Sequence, residues 1–170
     1  MPISIATIAD VPALAILVNS AYRGESSRKG WTTEADLLTG ELRTDEAALL
    51  EILSKPRSVM LKFSSAEGEI TGCVNLQEKE RGIYLGMLTV SPELQGAGIG
   101  KQLLAAADDH ARQKNSPAVF MNVISLREEL IAWYRRHGYA LTGERIPMAV
   151  DEKFGRSTRP LEFVVLEKKS

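Results

Sequence analysis

The sequence predicts a single α/β (α+β) domain built on a mixed, mostly antiparallel sheet flanked by helices, and three observations carry that expectation. Apolar residues recur at helical spacing in some segments and alternate along others. Three strand-like runs at 58–64, 70–76 and 83–90 lead into a helical run at 98–114 and another strand at 118–124. This is a β-meander followed by a strand–helix–strand unit. No repeat, low-complexity stretch or linker divides the 170 residues, a length that suits one domain spanning 1–170.

The elements follow in order. Residues 2–7 read as a short strand, and Asp10 is placed to cap a helix whose stripe is Val11, Leu14, Ala15, Leu17, Val18 and Tyr22. Residues 23–30 are polar and rich in Gly and Ser, a loop composition. Thr32 or Thr33 can cap a helix carrying Ala35, Leu37 and Leu38, and another short helix fits 45–54. The period then changes: Val59, Leu61 and Phe63 share one face of a strand, and 66–69 form a hairpin turn. Ile83, Leu85, Met87, Leu88 and Val90 put apolar groups on both faces, as a central strand requires. The helix at 98–114 carries Ile99, Leu103, Ala106 and Ala107 and ends at Asn115-Ser116-Pro117. An amphipathic helix at 127–137 closes at Gly138. Strands at 139–146 and 161–167 flank a polar loop at 147–160, and an exposed final strand offers an edge for a homodimer.

Composition removes several function classes. The formal net charge of -1 argues against whole-surface binding of nucleic acid or an anionic membrane, so neither is an expected partner. A single cysteine, Cys73, allows no intramolecular disulfide, and no His or carboxylate pair has metal-ligand spacing, so no metal is expected. There is no membrane-length apolar run and no leader pattern at the N-terminus, which makes a cytoplasmic protein the expectation.

Between the strand at 83–90 and the helix at 98–114 lies Gln95-Gly96-Ala97-Gly98-Ile99-Gly100-Lys101. A helix start exposes unpaired N–H groups and positive partial charge, and glycines let a phosphate approach them closely. A P-loop needs G-x-x-x-x-G-K-[ST]; here the glycine spacing is too short and Gln102 stands where Ser or Thr would bind magnesium. A dinucleotide fingerprint read from Gly96 fails at Lys101. What remains is Q-x-x-G-x-G, preceded by Met87-Leu88-Thr89-Val90-Ser91-Pro92. A tight strand-to-helix turn that binds nothing is the plain alternative, though one glycine would suffice for that.

In this strand–Pro–Gln–Gly–helix combination, from Leu88 to Leu104, the sequence resembles the Gcn5-related N-acetyltransferase superfamily. A second resemblance lies in Trp133-Tyr134-Arg135-Arg136-His137-Gly138-Tyr139, which is similar to that family's Y-x-x-x-G-[FY] ending. The resemblance implies acetyl-CoA as co-substrate and transfer of the acetyl group to a primary amine of a small molecule or peptide, by direct attack in a ternary complex. It implies a strand that splays at a bulge, with backbone groups of Leu88, Thr89 and Val90 bonding the pantetheine arm. The Val90 N–H is the candidate donor to the thioester carbonyl. Amides of Gln95, Gly96, Ala97, Gly98, Ile99, Gly100 and Lys101 would hold the pyrophosphate. Tyr134 is the implied general acid, protonated at neutral pH with an ordinary pKa of about 10. Its alternative is core packing beside Leu130 and Trp133.

Two positions depart from the family pattern: Arg127 and Leu130 stand where many members have Asn and Ala. Arg127 remains a candidate phosphate contact, against pairing with Glu128 or plain solvation. A base to deprotonate the amine is not evident in the splayed strand. Glu34 is the candidate, with a capping glutamate as its alternative. Glu25 and Asp36 either attract a cationic acceptor or are solvated. Lys153, Arg156 and Arg159 form a loose basic group, solvated or aimed at an acidic acceptor or the CoA 3′-phosphate. His110 reads as structural, His137 as a partner of its helix's C-terminal dipole, and Cys73 as a packed strand residue rather than an acetyl carrier. The other function class left open is a noncatalytic acyl-CoA-binding module.

Overall fold

In the computed structural model, residues 2–22, 43–148 and 161–170 are described. Their centre is a seven-stranded sheet in the order β1-β2-β3-β4-β5-β7-β6. The strands are β1 (Ile3–Ile5), β2 (Ser58–Ser64), β3 (Ile70–Glu78), β4 (Ile83–Val90), β5 (Ala118–Ile124), β6 (Ala140–Pro147) and β7 (Glu162–Lys169). Every neighbouring pair is antiparallel except β4–β5. A parallel pair needs a crossover, and helix α3 (Ile99–Gln113) supplies it.

The helices divide between the two faces. On one, α1 (Val11–Tyr22) and α2 (Glu46–Ser54) bury Leu14, Val18 and Leu49 against Met60 and Cys73. On the other, α3 and α4 (Glu128–Arg136) bury Leu103, Ala107 and Leu130 against Val74, Leu85 and Leu166. Each of the Leu, Val and Met side chains, fully buried, contributes about 1.5–3 kcal/mol. β3 and β4 lie between the two layers, which explains the apolar residues on both faces of β4. Gly72 lets α3 seat closely: a Cβ there would lie 2.9 Å from Ile99 Cγ2 and 3.2 Å from Leu103 Cδ1.

Two expectations need correction. Asp10 does not cap α1. Thr7 caps a short 3-10 turn, Ile8–Asp10, and the Asp10 carboxylate accepts the Thr7 N–H at 2.8 Å while pairing with Lys62 at 3.0 Å. The final strand is not an edge either: β7 lies between β5 and β6, so the open edges are β1 and β6. β6 is exposed along its length and its pairing with β7 is interrupted between Leu141 and Arg145, around Gly143 with φ 92. Arg81, in the β3–β4 turn, ties this corner to the sheet by bonding Glu144 and, at 3.2 Å, Glu167. The proposed helix after Trp31 lies outside the described residues.

Candidate active site

β4 pairs with β3 along most of its length but with β5 only at Ile83↔Val119 and Tyr84↔Phe120. Beyond Tyr84 the parallel strands part. The cause is local: Cys73↔Thr89 and Asn75↔Gly86 leave β4 one residue longer than β3 over the same interval. Met87 absorbs the extra residue in a left-handed conformation, φ 51, forming a bulge that bends the strand. The Ser91 N–H donates to the Thr71 carbonyl of β3 at 2.8 Å. Backbone groups alternate sides along a strand, so Thr89 also faces β3, whereas Leu88 and Val90 face the gap. The Tyr22 hydroxyl donates to the Leu88 carbonyl, and Gln95 Nε2 donates to the Val90 carbonyl at 3.2 Å.

The glycine loop leaves β4 through a 3-10 turn, Pro92–Leu94, and enters α3. Gly96 and Gly98 have φ of 94 and 81, conformations that side chains rarely adopt, and a Cβ on either would point into open space. Gly98 is the N-cap of α3, so the N–H groups of Ile99, Gly100 and Lys101 are those a helix start leaves unpaired. Gly100 has a packing role instead, since its Cβ would stand 3.3 Å from the Trp133 ring. A cavity of about 390 Å³ lies over this loop, walled by Val90, Lys101, Trp133 and His137. His137 Nδ1 lies 2.8 Å from the Trp133 carbonyl oxygen and its ring 4.5 Å from the Trp133 ring, so it braces that wall. The open space beside the left-handed glycines and the unpaired helix amides fit a pyrophosphate.

Further along β4, a second cavity of about 100 Å³ opens in the gap between β4 and β5. Tyr22 enters it from the α1 layer and Tyr134 from the α4 layer, so the two cores meet there through the parted sheet. Arg43, Tyr84, Asn122 and Arg127 also line it. The guanidinium carbons of Arg43 and Arg127 lie 5.5 and 5.7 Å from the centre of the Tyr22 ring. Tyr134 is 4% exposed, with its ring centre 5.2 Å from that of Trp133 and 5.8 Å from that of Tyr139. Burial first, and Tyr22 next, push the Tyr134 hydroxyl well above its ordinary pKa, with Arg127 opposing. At neutral pH it is a proton-bearing donor.

The described cofactor-binding and catalytic residues singled out in the sequence fall in two places, except Thr89, whose backbone faces β3. Gln95, Gly96, Gly98, Ile99, Gly100 and Lys101 line the loop cavity, with Ala97 in the same turn. Leu88 and Tyr134 line the gap. Arg127, at the N-cap of α4, also lines the gap and is absent from the loop cavity's walls. Glu34, Glu25, Asp36, Lys153, Arg156 and Arg159 lie outside the described residues. Cys73 packs against the α1 layer, where burial pushes its thiol up to about 12, so it is not a nucleophile at neutral pH. His110 and Asp109 line a larger groove of about 530 Å³ between α3 and β1, which shares no residue with either cavity and holds no cluster of unpaired helix amides. Sequence reasoning missed Tyr22, Arg43 and Tyr84. Tyr22 was legible only as one more apolar position of a helix, and neither of the others sits in a motif.

The comparisons agree with this geometry. The Acetyltransferase (GNAT) family model matches residues 18–139. No curated protein is significantly similar to the sequence. Among solved structures, a ribosomal-protein-alanine N-acetyltransferase from Brucella melitensis superposes with TM-score 0.72 at 22% identity, covering 100% of both chains. A putative phosphinothricin N-acetyltransferase gives TM-score 0.73 at 14% identity, covering 98% of this chain and 96% of that one. A nourseothricin acetyltransferase gives TM-score 0.59 at 22% identity, with 67% of this chain covering 66% of that one, just short of two thirds of its length. At these identities the structural likeness speaks for the fold.

Proposed function

The chain belongs to the GNAT acetyltransferase family, and on that premise we propose that it moves an acetyl group from acetyl-CoA to a primary amine by direct attack in a ternary complex. The observation that carries the reading is β4 itself, whose gap-facing backbone at Leu88 and Val90 runs between the amide-lined glycine loop and the cleft holding Tyr134. One extended ligand, charged at its phosphate end and uncharged at its thioester, suits that path.

The roles follow from position. The amides at the start of α3, with Lys101, hold the pyrophosphate. The backbone of Leu88 and Val90 aligns the pantetheine arm, and the Val90 N–H polarises the thioester carbonyl. The amine must arrive neutral, so its proton passes to a base, for which the sequence alone offers Glu34, or to water. Its lone pair attacks the carbonyl carbon, the C–N bond forms and the C–S bond breaks. Tyr134 donates its hydrogen bond to the departing sulfur, which ends as a thiol once the proton lost by nitrogen has been relayed. A desolvated, neutral tyrosine stabilises a thiolate without any prior change of charge.

The test is thiol release from acetyl-CoA in the presence of amines, polyamines, amino acids and peptides. Amine-dependent release is expected. CoA binding without such release would make the chain an acyl-CoA-binding module, and tight ATP binding without CoA binding would overturn the acetyl-CoA reading.

A further inference from the structure

Resting on the acetyl-transfer reading, we propose that Thr89 and Tyr22 are positioning residues of the transfer. By taking up the carbonyls of Met87 and Leu88, they fix the bend of β4 that aims the Val90 N–H at the thioester.

The need for such a hold arises at the bulge. Beyond Tyr84, β4 runs without β5 paired at its side. At Met87 it takes a left-handed turn, φ 51, which a residue with a side chain keeps only where its surroundings hold it. Among the described residues, three side chains take up carbonyls of this stretch. Thr89 is fully buried opposite Cys73, and its hydroxyl turns back to donate to the Met87 carbonyl at 2.8 Å. Cys73 Sγ approaches the same carbonyl at 3.8 Å. The Tyr22 hydroxyl, brought from α1, donates to the Leu88 carbonyl. Gln95 Nε2 donates to the Val90 carbonyl at 3.2 Å.

These bonds bracket one peptide. The Val90 N–H belongs to the planar unit that joins Thr89 to Val90. On one side of it the Met87 and Leu88 carbonyls are held by Thr89 and Tyr22. On the other, Gln95 holds the Val90 carbonyl, and the Ser91 N–H donates to the Thr71 carbonyl at 2.8 Å. With both neighbours fixed, the Val90 N–H keeps one direction, into the gap. Thr89 thus serves through its side chain, although its backbone faces β3. Direction is what an oxyanion donor must have. Charge developing on the thioester oxygen is stabilised by a donor already in place, and a hydrogen bond weakens steeply with misalignment. A valine at position 89 and a phenylalanine at position 22 would fill nearly the same space, so what the two hydroxyls add is aim.

The experiment uses the full chain with an amine found to support thiol release. Thr89→Val and Tyr22→Phe should each lower kcat by about tenfold or more while the KM of the amine moves little. CoA affinity should stay within about threefold, because its phosphates are held at the loop. Thr89→Ser, which keeps the hydroxyl, should recover most of what Thr89→Val loses. A second readout is the infrared stretch of acetyl-CoA isotopically labelled at its thioester carbonyl. Binding to the unaltered chain should shift it to lower frequency, and both variants should return it toward the free value. Undiminished kcat in folded variants, or a stretch that the variants leave where it was, overturns the positioning role while leaving acetyl transfer intact. Should neither variant fold, the unaltered chain still decides: a lowered stretch supports an aimed donor, and a bound carbonyl at the free frequency overturns it. No amine-dependent thiol release by the unaltered chain overturns the acetyl-transfer reading, and the positioning role with it.

Discussion

The glycine loop and the β4–β5 gap lie along one strand, yet they are made of different material. The loop is backbone: consecutive residues, two left-handed glycines and the first amides of α3. The gap is side chains: Tyr22, Arg43, Arg127 and Tyr134, each from a different element or connection. A site made of consecutive backbone has to be written in consecutive residues, so its spacing can be read. A site made by convergence is written nowhere in one place. This is why the loop was legible and the gap was not.

Two measurements separate the two ends. Gly98→Glu puts a side chain where φ is 81 and a negative charge where phosphate belongs, so CoA affinity should fall by about 100-fold or more with the fold retained. Calorimetric titration with CoA checks it, and normal affinity would contradict the cradle. Tyr134→Phe acts on the other end alone. Turnover should drop about 100-fold while CoA affinity stays within about twofold, in steady-state kinetics beside the same titration. Lost thermal stability with undiminished turnover would instead make Tyr134 a packing residue.

The other two probe what both ends share. Gly72→Val forces α3 off β3, because even a Cβ would stand 2.9 Å from Ile99, and should cost about 1–3 kcal/mol in denaturant unfolding. An unaffected midpoint would mean that α3 is not held as tightly as its packing implies. Finally, burial raises the pKa of the Cys73 thiol from 9.0 to about 12 and raises those of the Tyr84, Tyr134 and Tyr139 hydroxyls. The unfolded chain releases these protons first. Stability is therefore complete below about pH 9 and falls as pH rises toward 12. Melting temperatures across that window check the slope, and Cys73→Ala should flatten its onset. A flat profile would mean that these groups are hydrated in the folded chain.

The fold was largely readable for a related reason. Periodicity marked β2, β3, β4, α3, β5 and α4 to within a few residues, and the two-faced apolar pattern of β4 placed it centrally. Order in the sheet was less readable, because β7 inserts between β5 and β6 through pairings that no local pattern records. Asp10 misled for a simpler cause: an acidic residue before a helix serves equally as a cap or as the third residue of a turn capped by Thr7. Arg127 departed from the family pattern at a position that lines the gap.

The interruption in β6 has a consequence for self-association. Extended chains polymerise most readily onto a long, flat, unbroken strand edge. This edge is 8 residues long, but its ladder breaks between Leu141 and Arg145, and Gly143 turns it at φ 92. Glu144 is engaged by Arg81, and Arg145 by Glu162. An incoming strand would find two short footholds separated by a kink and guarded by charge, a poor seed for fibril growth at high concentration.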